Sequence, residues 1–96
     1  SDFARTPLVN TRNGRDHHLA ASALVAGPKI RGNMVVGATS DQLMGAQLIN
    51  PSTGKVDAGG VKMRPADIHA TLLTSMGIAI DPIRNQNPAV VSALLK

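Results

Sequence analysis

A chain of 96 residues is long enough for one small domain at most. Its apolar content of 43% comes from Ala, Val, Leu, Ile and Met, because Phe3 is the only aromatic residue, and without Cys there is neither a disulfide framework nor a thiolate metal site. Ten Lys and Arg against six Asp give a formal charge of +4, but the basic residues are scattered without stacking aromatics, so nucleic acid is not the expected partner.

Aromatic rings usually supply the largest burial areas in a core. Their near absence points to apolar faces that pack against something outside this chain. No apolar run approaches the roughly 20 residues that span a bilayer. The opening Ser-Asp-Phe-Ala-Arg has neither the basic nor the apolar region of a signal peptide, and no initiator Met. Those features fit a processed product or a proteolytic fragment.

From Arg5 to Asp16 the chain is polar and turn-rich, with Pro7, Asn10, Asn13 and Gly14 breaking any periodicity, and reads as loop. Leu19 to Ala26 is nearly all small and apolar up to Gly27-Pro28. Its length suits a buried strand, although periodicity alone does not exclude a helix. After Lys29, Arg31 and Gly32, a second strand is predicted over Asn33 to Ala38, centred on Val35 and Val36. Ala46 to Ile49 and Lys55 to Ala58 form the arms of a predicted hairpin, with the turn-forming Asn50-Pro51-Ser52-Thr53-Gly54 at its tip.

The clearest helix begins at Pro65, a residue suited to the first helical position. Asp67 in the first turn complements the helix dipole. Ile68, Leu72 and Met76 define an apolar face, and Gly77 is placed to end the helix in a left-handed conformation. An extended Ile78 to Ile80 follows, then Asp81-Pro82. A last helix is predicted from Asn87-Pro88, burying Val91, Leu94 and Leu95. Loop, strands, hairpin and two helices make an α/β or α+β arrangement.

The densest polar cluster is Arg12-Asn13-Gly14-Arg15-Asp16-His17-His18. Asp and His both ligate zinc, manganese or iron. Neighbouring side chains on an extended strand point to opposite faces. Asp16 and His17 therefore share one metal only if the backbone turns between them, which the nearby Gly14 makes plausible. The alternative is a solvated polar loop. Arg5 and Arg15 are candidates for holding a phosphate or sulfate group, whose oxygens match the guanidinium fork. Their alternative is a surface or interface role. His69 lies off the apolar stripe and reads as a helix-surface residue. The serines lack a nucleophile elbow, the glycines form no phosphate loop, and Asn50-Pro51-Ser52 fails as a glycosylation acceptor because of its proline.

Ser1-Asp2-Phe3-Ala4-Arg5-Thr6-Pro7 followed by Asn13-Gly14-Arg15-Asp16-His17 resembles the end of a large bacterial family. Its members are exported proteins of unknown function, distantly similar to sulfatases and placed in the alkaline-phosphatase-like superfamily. The family pattern, roughly Ser-Glu-Phe-Gly-Arg-Thr-Pro and then Gly-Arg-Asp-His, continues into segments matched by Arg31 to Thr39, Asp67-Ile68-His69-Ala70-Thr71 and Met76-Gly77-Ile78. The similarity covers about Ser1 to Pro82. It departs at Asp2 and Ala4, where the family has Glu and Gly, and at His18, where superfamily phosphatases have Gly.

This resemblance implies a fold class of α/β, with residues 1–96 forming the carboxy-terminal part of an alkaline-phosphatase/sulfatase-like α/β/α sandwich. It further implies a fragment of a metal-dependent phosphate- or sulfate-ester hydrolase, not catalytic alone because the nucleophile and first metal ligands lie upstream in such enzymes. Asp16 and His17 match the late Asp-His metal motif, and the metal would be divalent (zinc, manganese or calcium). Arg5 or Arg15 would hold the anionic group of the ester. The expected partners are the remainder of the full-length chain and a small anionic ester. Export by the twin-arginine route implies a periplasmic or cell-surface location. The second hypothesis is a non-catalytic cell-surface binding or structural relative of the same fold.

Overall fold

The computed structural model describes residues 3–96. It is built around one α-helix, α1 (Pro65–Ser75), and two 3₁₀ segments, Asp81–Gln86 and Ser92–Leu94. Extended stretches meet only at isolated antiparallel bridges, and no continuous strand forms among the described residues. No helix in that range is long and apolar enough to cross a membrane.

Local chemistry sets both ends of α1. Pro65 opens it, and the Asp67 carboxylate reaches back to accept the Arg64 N–H at 2.7 Å. At the other end Gly77 adopts φ +72°. The Gly77 N–H donates to the Thr74 carbonyl at 3.1 Å and the Ile78 N–H to the Leu73 carbonyl at 2.9 Å, the pair of bonds of a Schellman stop.

The buried face of α1 is not the predicted one. Ala66, Asp67, Ala70 and Thr71 are buried, while Ile68 and Leu72 are half-buried and Met76 is exposed. The reason lies in the segment that covers the helix. The Asn87 carbonyl accepts from the Arg64 guanidinium at 3.0 Å, the Ala89 N–H donates to Asp67 Oδ1 at 2.9 Å, and the Val91 N–H donates to Thr71 Oγ1 at 2.9 Å. Four helical residues rise about 6.0 Å and two extended residues about 6.6 Å, so alternate groups on the segment meet successive turns of the helix. Small Ala66 and Ala70 leave room for the close approach.

These bonds also explain why the predicted last helix from Asn87 is absent. The Ala89 and Val91 N–H groups are taken by α1 side chains, and Asn87 sits at φ +47° immediately before a proline. Helical structure falls instead into the two short 3₁₀ segments on either side. Val91 is buried as expected, whereas Leu94 and Leu95 are only half-buried.

The hairpin forms where predicted. Ile49 bridges Val56, the Asn50 N–H donates to the Lys55 carbonyl at 2.9 Å, and the Asp57 N–H donates to the Leu48 carbonyl at 2.9 Å. At the tip the Asn50 side chain accepts the Ser52 N–H at 2.9 Å. The chain then doubles back so that Ile49 also exchanges both backbone bonds with Val61, at 2.9 and 2.8 Å. Gly60 makes this return possible, since a Cβ there would lie 2.1 Å from the Ile49 carbonyl oxygen. Ile49, Val91 and Ala93 form the small buried cluster, with Met34, Val36, Met63 and Leu94 packed on it.

Two predicted strands do not form. Residues 19–26 are irregular, and Leu19 and Leu24 are 98% and 96% exposed rather than buried. Nothing among the described residues offers them a neighbouring strand. Over residues 33–38 the period-two pattern survives without a ladder: Met34 and Val36 face the cluster while Val35 is exposed. The carboxy-terminal end closes on the middle of the chain, with Leu95 bridging Ile30 and the Arg31 N–H donating to the Leu94 carbonyl at 2.7 Å.

Candidate functional site

The polar cluster read from the sequence sits on a short antiparallel pairing. Arg5 lies opposite His17, and the flanking bonds run from the Thr6 N–H to the Asp16 carbonyl at 2.9 Å and from the His18 N–H to the Ala4 carbonyl at 2.7 Å. Those two bonds make Arg5 and His17 a non-hydrogen-bonded pair, with their side chains together on one face. Asp16 and His18 point to the other face.

On the Arg5 face, the His17 ring stacks on Phe3 with centroids 3.8 Å apart, and the Arg5 guanidinium lies 4.7 Å from the Phe3 centroid. The Arg5 guanidinium also donates to the Arg15 carbonyl at 2.8 Å. Arg5 therefore braces the loop that carries Arg15. Arg15 itself is exposed. The Ser1-Asp2 start of the family-like motif lies outside the described residues.

The opposite face is organised by Asn10, which the sequence reading treated only as a loop breaker. Its Oδ1 accepts the Arg12 and Gly14 N–H groups at 2.9 and 3.0 Å, and its Nδ2 donates to Asp16 Oδ1 at 3.0 Å. The Asn10 N–H meets the Gly14 carbonyl at 2.7 Å, and Asn13 takes φ +59° to close the turn. One amide thus fixes the Asn10–Gly14 loop and aims Asp16. The readable signal was the asparagine followed by Asn13-Gly14, a pairing that favours side-chain-closed turns.

His18 clasps a second loop. Its Nδ1 lies 3.0 Å from the Ala20 N–H and 3.2 Å from the Ala20 carbonyl, and its Nε2 lies 2.9 Å from the Leu43 carbonyl, to which an Nε2–H donates. Leu43 and Met44 both adopt left-handed φ, +54° and +57°, in a turn closed by the Gly45 N–H on the Gln42 carbonyl at 3.2 Å. Such a conformation costs a non-glycine residue about 1–2 kcal/mol, and the His18 bond is one of the contacts that hold it.

Between these loops opens a cavity of about 510 Å³. Pro7, Leu8, Val9 and Leu43 give it apolar walls, and Asp16 and Lys62 bring the charged groups. Neither Arg5 nor Arg15 lines it; Lys62, delivered by the doubling-back after the hairpin, does. Sequence position gave no signal for that placement.

The expected divalent metal meets a split donor set. Asp16 fits a ligand role, because its Oδ1 is oriented by Asn10 while its Oδ2 has no partner among the described residues. His17 stacks on Phe3, and the antiparallel register turns its side chain away from that of Asp16, while both residues border the cavity. Both ring nitrogens of His18 are engaged. Among the described residues no group of three or more His, Cys, Asp or Glu side chains is placed to hold a metal.

No curated protein and no solved structure matches the chain. A family model does, over residues 1–84, which include the Arg5–His17 pairing, the Asn10 loop, the cavity and α1. On that match the chain belongs to the family described as Protein of unknown function (DUF1501).

Proposed function

We propose that this chain forms one wall of the cleft of a phosphate- or sulfate-ester hydrolase, in an exported protein whose α/β sandwich resembles the alkaline-phosphatase fold. The observation that carries the reading is the Asp16 carboxylate: held by Asn10 at 3.0 Å on one oxygen, it presents the other where a small molecule has room to approach. The sequence resemblance supplies the reaction class and the periplasmic or cell-surface location. Hydrolysis would transfer the phosphoryl or sulfuryl group to water, break its bond to the ester oxygen and return a proton to the departing alcohol.

In this role Asp16 is the one metal ligand that the described chain offers, and the remaining ligands and the nucleophile belong to the rest of the protein. A divalent ion bound there supplies Lewis-acid stabilisation of the developing negative charge. The chain's own contributions are the aim of Asp16, set by Asn10, and the ammonium of Lys62 for the anionic group. The exposed apolar side chains away from the cavity, among them Leu24 and Val35, support packing against further protein.

The test is Asp16→Ala in the intact protein, with bound metal measured by elemental analysis and hydrolysis followed with aryl phosphates and sulfates. The proposal expects loss of about one metal equivalent and of turnover; unchanged metal content would overturn the assignment of Asp16. A second reading, a non-catalytic binding or structural relative, is favoured by the lack of a grouped ligand set among the described residues. It predicts no hydrolysis of any ester by the wild-type protein.

A further inference from the structure

We infer that the cavity beside Asp16 receives the organic part of the ester, and that this part is apolar: an alkyl or aryl group rather than a sugar. The inference rests on the hydrolase reading for the chemistry and on the cavity's construction for the substrate class. A volume of about 510 Å³ lies within the range of small-molecule sites. Its walls come from Pro7, Leu8, Val9 and Leu43, so the hydroxyls of a sugar would find few partners there, and each unpaired hydroxyl would resist transfer out of water.

The polar groups at this wall are few and mostly committed. Asn10 spends its amide on Arg12, Gly14 and Asp16, and His18 spends its ring on Ala20 and Leu43. Thr6 directs its hydroxyl to the Leu8 carbonyl at 2.9 Å. Beyond these, the lining holds the Asp16 carboxylate, the Lys62 ammonium and His17, whose ring is stacked on Phe3. That leaves charge recognition for the acid group and contact area for everything else. The fold also places apolar residues here at a conformational cost: Leu43 is left-handed, 60% exposed and turned onto the rim by the His18 clasp. Leu8 and Val9, 62% and 61% exposed, gain burial when such a group binds.

The experiment compares phenyl phosphate and phenyl sulfate with the corresponding glucose esters in the intact protein, together with a Leu8→Ser/Val9→Ser double variant. Both positions are solvent-facing, so the substitutions leave the buried cluster untouched. The phenyl esters are expected to lead in kcat/KM by about ten-fold or more, and the double variant to narrow that ratio by about ten-fold. A ratio of one or below, or a ratio unmoved by the double variant, overturns the inference. Binding of anilinonaphthalene sulfonate, followed by its fluorescence, needs no turnover and separates the two failures. If no ester is hydrolysed, the hydrolase reading falls. Weakening of the probe by both the double variant and Lys62→Gln then still supports an aryl-anion site, and unchanged probe binding refutes it.

Discussion

Replacing Asp67 with Asn changes one oxygen to an amide nitrogen at almost constant volume, and the structure says what that exchange should cost. Each carboxylate oxygen accepts a backbone N–H: Oδ2 from Arg64 at 2.7 Å and Oδ1 from Ala89 at 2.9 Å. Asn has one acceptor for these two donors. Whichever way the amide turns, one backbone N–H faces an NH₂ group at a residue only 2% exposed. Leaving a buried donor unsatisfied costs about 1–3 kcal/mol. The lost charge pairing with Arg64 adds less than about 1 kcal/mol, because that guanidinium-bearing side chain is 48% exposed and its 3.1 Å contact is screened by solvent. The expected destabilisation is therefore about 1–4 kcal/mol, read as a lower urea midpoint of the intact protein at unchanged m-value. Hydrogen exchange resolved to peptides would show which donor was abandoned, at the start of α1 or at residue 89. A change within about 0.5 kcal/mol, the size of an ordinary surface substitution, would refute the argument that this carboxylate ties helix to segment.

The same tie makes two further predictions, and the return of the chain past Ile49 makes a third. Thr71→Val removes the acceptor of the Val91 N–H and should cost about 1–3 kcal/mol, while Thr71→Ser, which keeps the hydroxyl, should cost clearly less; equal losses would assign the effect to packing. Burial pushes the Asp67 carboxyl up, but bonds from Ala89 and Arg64 with the Arg64 charge outweigh it and hold the group below its ordinary 3.8. Because its folded pKa is the lower one, its contribution is complete above about pH 5 and is lost as pH falls through 3.8 and then through the folded value, so the acid slope of thermal stability should flatten in Asp67→Asn. Gly60→Ala places a methyl 2.1 Å from the Ile49 carbonyl oxygen and should cost about 1–3 kcal/mol or more, seen as faster exchange of the Ile49 and Val61 amides.

What could be read from the sequence was whatever the chain settles within a few residues of itself. Pro65, Asp67 and Gly77 mark the helix because capping is local, and Asn50 to Gly54 mark the hairpin tip for the same reason. The buried face of α1 was not legible, because Asp67 and Thr71 are covered by hydrogen bonds to residues 20 or more positions away. Residues 19–26 show the converse: an apolar run states a preference for burial but not what buries it. At the candidate site, the strand rule that neighbouring side chains diverge applied to Asp16 and His17, and Gly14 turned the chain before the pair rather than within it. Asn10 carried a weak signal, and Lys62 none, since only the return of the chain past Ile49 brings it to the cavity.

The seam between α1 and residues 87–91 works like two rulers with nearly equal divisions. Helical steps of about 6.0 Å and extended steps of about 6.6 Å drift apart by roughly half an ångström per pairing. Such a vernier matches well over a short reach and then loses phase, and here it is abandoned after Thr71: the next amide of the same parity, Ala93, donates to the Pro51 carbonyl of the hairpin tip at 3.0 Å. The segment is thereby handed from helix to hairpin as it enters the 3₁₀ turn Ser92–Leu94. Inserting or deleting one residue between Ala89 and Val91 would invert the parity of their two bonds to the helix, turning one of these amides away from α1. The length of this stretch is thus specified as tightly as its composition.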